Sequence, residues 1–172
     1  MADAQMQQGS PFWRFSLRFY RQPGVADACI ALQDGCGVDV NILLFLLWLA
    51  TARRRVPLPA AQELCAKGAA WRDDVVVPLR TLRRRLKDGS TLVERGAAEL
   101  FRTKIKAIEL EAERLQQEAM FALAATLVTE NAATTEAAAR ANISAYEHAL
   151  ARTFTAEAVR VLLGALLADQ PA

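Results

Sequence analysis

A single histidine, His148, stands in the 172 residues, which excludes any catalytic or metal scheme built on two imidazoles. There are three cysteines, Cys29, Cys36 and Cys65. Their spacing fits no paired metal knuckle, and an odd number of reduced thiols agrees with a reducing compartment. There is no phosphate-cradling glycine loop, no Gly-x-Ser-x-Gly elbow and no dinucleotide fingerprint, so enzymes that depend on those motifs are not expected. The longest uninterrupted apolar run, Ile42 to Ala50, is nine residues, far short of the roughly 20 that a membrane span needs. The first ten residues have neither the basic nor the apolar part of a secretion signal. These absences point to a protein of the cytoplasm with no membrane span, no cofactor and no metal.

What remains is ample for a folded chain: 53% of the residues are hydrophobic and 23% charged, a composition that is neither disordered nor collagen-like. The net charge of +2 hides an uneven distribution. Residues 1–52 carry three basic and four acidic side chains, residues 53–106 fourteen and six, and residues 107–172 four and nine. Such a basic middle marks either a face for an anionic partner or a surface that pairs with acidic parts of the same molecule.

About a fifth of the residues are alanine, nearly every segment has helical period, and no strand pair is evident. The expected fold is all-α, one bundle of about six to eight helices in a single domain over 10–168, with tails at 1–9 and 169–172. Ser10 and Pro11 open a first helix that runs to about Gln22. A second covers Val25 to Asp34 and ends at Gly35-Cys36-Gly37. Asp39 or Asn41 caps the third, at about 40–52, whose run from Ile42 to Trp48 has no polar face and should form the centre of the fold. Another helix covers about Pro59 to Lys67. The stripe Trp71, Val75, Leu79, Leu82, Leu86 then passes through Pro78, which predicts a kinked helix. After the turn Asp88-Gly89-Ser90-Thr91 comes the longest helix, about 92–127, with a possible break at Gly96. Its seam is Phe101, Ile105, Ile108, Ala112, Leu115, Ala119 and Ala122. Thr134 or Thr135 caps a helix to about Phe154, and Thr155 caps the last.

The run Phe12-Trp13-x-Phe15-Ser16-Leu17-x-x-Tyr20-x-x-Pro23-Gly24-Val25 is followed by Leu32-Gln33-Asp34-x-x-Gly37-x-Asp39-Val40-Asn41-x-Leu43-Leu44-Phe45-x-Leu47-Trp48. With Trp71-Arg72, Pro78-Leu79-Arg80 and Arg83-Arg84, it resembles a family of uncharacterised bacterial proteins of about this length, a domain of unknown function. The likeness covers residues 12 to about 115 and leaves out the alanine-rich C-terminal third. It implies no activity, cofactor or partner.

Two constellations remain as candidate sites, and neither supplies a catalytic set. Arg53, Arg54 and Arg55, with Arg80, Arg83, Arg84 and Lys87, offer guanidinium forks suited to carboxylate or phosphate. No nucleic-acid-binding motif accompanies them, so the expected partner is an acidic protein before a nucleic acid. Gln33, Asp34, Asp39 and Asn41 form the second, a polar group whose members also have work available as helix caps. The leading reading is a non-catalytic helical binding or adaptor protein, monomeric or weakly self-associating. The alternative is a small-ligand-binding or enzymatic helical domain, its pocket lined by Trp13, Tyr20 and Trp48 with Asp34, Asp39 and Asn41 at the mouth.

Overall fold

The computed structural model describes residues 9–89 and 91–169. The remainder of the expected tails, 1–8 and 170–172, and Ser90 of the expected turn lie outside them. The fold is all-α. Among the described residues the helices are α1 (Pro11–Tyr20), α2 (Val25–Cys36), α3 (Val40–Thr51), α4 (Leu58–Trp71), α5 (Val77–Arg85), α6 (Arg95–Leu123), α7 (Thr135–Leu150) and α8 (Ala156–Ala168). A π-helical turn, Arg72–Val76, precedes α5, and a 3-10 turn, Leu86–Asp88, follows it. The described chain divides into two compact units, one of residues 9–66 with 117–169 and one of residues 67–116.

The larger unit is organised by α3. Nine of its twelve residues are buried, from Asn41 through Leu47 and then Leu49 and Ala50, so this helix offers no face to water and has to be covered on all sides. Its start is fixed by Asp39, whose carboxylate accepts the amides of Asn41 at 2.9 Å and Ile42 at 3.4 Å. Before it, α2 ends in left-handed Gly37 (φ 68°), with the Gly37 and Val38 amides returned to the Gln33 and Leu32 carbonyls. The α3 helix packs chiefly on α7, and α2 on α8. Alanines 138 and 139 of α7 are fully buried, and such small side chains permit close approach of two helices. The α1 helix begins as expected, with the Ser10 hydroxyl accepting the Trp13 amide at 3.1 Å and Pro11 in the first position. It contributes Phe12, whose ring meets Phe45 edge-on at 5.1 Å.

One polar residue ties this apolar unit together. Asn142 of α7 has no exposed surface; its amide nitrogen donates to the carbonyls of Leu46 (2.9 Å) and Arg54 (3.0 Å), and its oxygen accepts the Val56 amide (2.7 Å). The segment it holds is β1 (Arg54–Arg55), which pairs antiparallel with β2 (Glu130–Asn131), Arg54 opposite Asn131 and Arg55 opposite Glu130. This pair corrects the expectation of no strands. Two residues are too few to show a period-2 pattern in sequence.

Helix ends also differ from expectation: α4 runs past Lys67 and Gly68 to Trp71, and α6 ends at Leu123, short of 127. The α6 helix starts at Arg95 and passes through Gly96 unbroken, because the Glu94 carboxylate caps it by accepting the Ala97 amide at 2.9 Å. The α7 helix stops at Leu150 rather than near Phe154, with Ala151 left-handed (φ 50°). The Phe154 amide then donates to Glu147 at 2.6 Å, and its ring meets Tyr146 at 5.8 Å.

The smaller unit answers the question set by Pro78. A proline ring clashes with the carbonyl four residues back and cannot donate the usual bond. The chain opens into a π turn just upstream, in which the Val77 amide reaches Arg72 five residues back. The extra residue rotates the side chains of α5 by about 100° relative to a regular helix. The inward line therefore moves from the expected stripe to Val76, Leu79, Arg80, Arg83 and Leu86, while Leu82 is 41% exposed.

Replacing Asn142 with Ala leaves two buried carbonyls and one buried amide short of a partner. Urea unfolding of Asn142→Ala should show a loss of about 3 kcal/mol; a loss below about 1 kcal/mol would mean that Asn142 is not the tie described.

Candidate functional site

The two arginine clusters lie in different units and meet different fates. In the larger unit Arg53 is exposed and takes a left-handed conformation (φ 56°). Arg54 is used by the fold: its guanidinium donates to the Ala124 carbonyl at 2.7 Å and to the Thr129 hydroxyl at 3.1 Å. Arg55 forms an exposed ion pair with Glu130 across the strand pair.

In the smaller unit Arg80 and Arg83 face α6. Arg80 donates to Glu109 at 3.1 Å and to Glu113 at 2.7 Å, and Arg83 to Glu109 at 2.5 and 3.2 Å. The Arg80 and Arg83 side chains keep only 17% and 24% of their surface, and Glu109 6%. The Glu109 hydrogen bond raises the Arg83 guanidinium above its ordinary range. These two arginines therefore hold α5 to α6. Arg84, Arg85 and Lys87 of the same segment are exposed, as is Arg53 of the first cluster. Arg85 is absent from the expected binding set because the regular-helix wheel, unaware of the π turn, set Arg80, Arg84 and Lys87 on one outward face.

The polar group Gln33, Asp34, Asp39 and Asn41 is divided among structural tasks. Asp39 is the α3 cap, and its amide receives a further contact, donating to the Tyr146 hydroxyl at 2.9 Å. Asn41 is buried and accepts from Gln117 at 2.8 Å. The Gln33 carbonyl closes the end of α2; Asp34 is exposed. The aromatic residues of the alternative pocket are packed side chains. Trp13 is buried, lying so close to Gly9 (φ 131°) that a Cβ there would come within 2.5 Å of its ring. Trp48 stacks among Phe12, Phe45 and Phe121 at centroid distances of 5.5, 5.8 and 5.6 Å. Tyr20 is half-buried against the same core.

His148 is exposed, its Nδ1 2.7 Å from the Ser144 carbonyl. It borders a shallow, mainly apolar groove with Arg55, Val56, Pro57 and Ser144. Cys29 has no exposed surface, and burial pushes its thiol up to about 12, which leaves it unreactive. Among the described residues no three of His, Cys, Asp and Glu gather where a metal ion could be held, and no helix is long and apolar enough to cross a membrane.

The surface of the smaller unit is also unusually apolar. The expected seam of α6 is half used: Ile105 and Ala112 are buried, while Phe101, Ile108 and Leu115 are exposed. Trp71, 38% exposed, is anchored by its indole N–H on the Ala112 carbonyl at 3.0 Å.

The Glu109 junction separates structural from surface arginines. Glu109→Ala should lower stability by about 2 kcal/mol, between the limits for exposed and buried pairs, in a thermal melt of the whole chain. Glu99→Ala, which breaks only an exposed pair with Arg102, should leave the melt nearly unchanged. Equal effects of the two substitutions would contradict the assignment.

No curated protein and no solved structure matches the chain. A family model does, over residues 11–120, a span that takes in α1 to α5 and most of α6. That agrees with the resemblance carried by the motifs from Phe12 onward, and the chain belongs to the family described as a protein of unknown function, DUF2390.

Proposed function

We propose that this chain is a non-catalytic helical binding protein of the bacterial cytoplasm that engages an acidic protein partner through the smaller unit. The observation that carries the reading is the division of the arginines: Glu109 and Glu113 neutralise Arg80 and Arg83, while Arg84, Arg85 and Lys87 stay on the surface. Residues 67–116 hold twelve basic and eight acidic side chains, a modest excess suited to steering an acidic surface. Val77 and Leu82 of α5, 40% and 41% exposed, supply apolar surface for the centre of a protein interface, with the cations at the rim. Extended nucleic-acid binding is less well served, because the acidic residues Asp88, Glu94 and Glu99 interrupt the basic stretch. Cys29, Cys36 and Cys65 form no disulfide, which suits a reducing compartment.

The test is capture from the native lysate by tagged whole chain, with nuclease present. Arg84→Glu, Arg85→Glu and Lys87→Glu combined should abolish the captured partner without moving the melting temperature, since exposed charges contribute roughly 0–1 kcal/mol each. Capture that disappears with nuclease, or that survives the triple reversal, would overturn the proposal.

A further inference from the structure

Phe101, Ile108 and Leu115 recur at seven-residue steps on α6 and form one row about 21 Å long. They are 51%, 52% and 45% exposed, although Ile105 and Ala112 beside them are 7% and 5% exposed. The row is thus the uncovered edge of an apolar strip whose other edge is already buried. A scattered exposed leucine needs no explanation, but three large side chains in line do.

Charge beside the row indicates what covers it. Lys104 lies between Phe101 and Ile108, and Glu111 between Ile108 and Leu115. They are seven residues apart and so stand on the same flank of the row. A two-fold axis through Ile108 sets a second copy antiparallel, with Phe101 over Leu115 of that copy and Ile108 over itself. Flank then meets like flank, and Lys104 falls within about 1.5 Å of axial register with Glu111 of the second copy. Symmetry makes the same pair twice. Glu111 already accepts from Arg114 at 2.6 Å, yet a carboxylate has room for a second donor. A parallel arrangement lacks this match, because it sets the Lys104 flank against the Ile105 and Ala112 edge, which is covered in its own chain. A uniformly acidic helix would meet Glu111 as a like charge, whereas this flank, with one residue of each sign, is complementary to itself.

We propose that the chain forms an antiparallel two-fold homodimer through the Phe101, Ile108 and Leu115 row, registered by Lys104 against Glu111 of the second copy. The dimer rests on residues other than those of the binding surface proposed above, and stands or falls separately from it. It presents two copies of Arg84, Arg85 and Lys87, so a multivalent acidic partner would be held more tightly than by one.

Sedimentation equilibrium of the whole chain up to about 100 µM tests this. The unaltered protein should be dimeric at the upper end. Ile108→Lys should be monomeric with unchanged helical circular dichroism and melting, because the side chain it replaces is half exposed. Lys104→Glu and Glu111→Lys singly should each raise the dissociation constant by roughly tenfold, and the two together should restore it. A zero-length carbodiimide cross-link should join Lys104 to Glu111 between isotopically distinct copies. The proposal is overturned if the protein is monomeric throughout, if the dimer survives Ile108→Lys, or if the double reversal binds no better than either single one.

Discussion

A helix with no polar face cannot be left at a surface, and α3 is such a helix. From Ile42 to Leu47 every residue is buried, and the cost of exposing that surface compels the rest of the larger unit to assemble around it. The aromatic residues of α1, the alanines of α7, Met120 and Phe121 at the end of α6 and Ala124 just beyond it each cover part of it. The few polar groups admitted here are nearly all paired: Asn142 holds three backbone groups, Asp39 caps α3, and Tyr146 joins the Asp39 amide. Among the described residues the Oγ of Ser16 and the Oε1 of Gln117 have no partner, and such buried atoms are commonly served by ordered water.

The smaller unit is built on a different balance. Its inward face carries Val76, Ile105 and Ala112, but also the charged group of Arg80, Arg83, Glu109 and Glu113. Ion pairs of this partly buried kind specify which faces meet more than they stabilise. With so little apolar surface buried inside, large side chains such as Phe101 and Ile108 remain outside. That is why the features read here as binding surfaces belong to this unit, whereas the candidate ligand pocket of the larger unit is filled by its own aromatic rings.

Local signals in the sequence located most of the fold. Ser10 with Pro11, Asp39, Thr134 and Thr155 all cap the helices they precede, because a cap is a contact between residues two or three apart. The burial of α3 was legible because its pattern admits no other solution. What was not legible depends on distant residues or on an irregular turn. The partners of Arg80 and Arg83 lie 26 to 33 positions away, beyond any periodic reading. The π turn before Pro78 shifts the inward line by one residue, so a regular wheel misassigned Leu82 and Arg80 alike. Asn142 sits in an alanine-rich helix with nothing in its neighbours to announce that it binds backbone from two other segments.

Stability in this fold is concentrated around α3, whereas α5 rests on α6 largely through charged contacts and should be held less firmly. Native-state hydrogen exchange at single-residue resolution tests it directly. The amides of residues 44–50 should exchange only through global unfolding, and those of residues 81–85 should open at a distinctly lower free energy. Protection of residues 81–85 equal to that of α3 would contradict this division of stability.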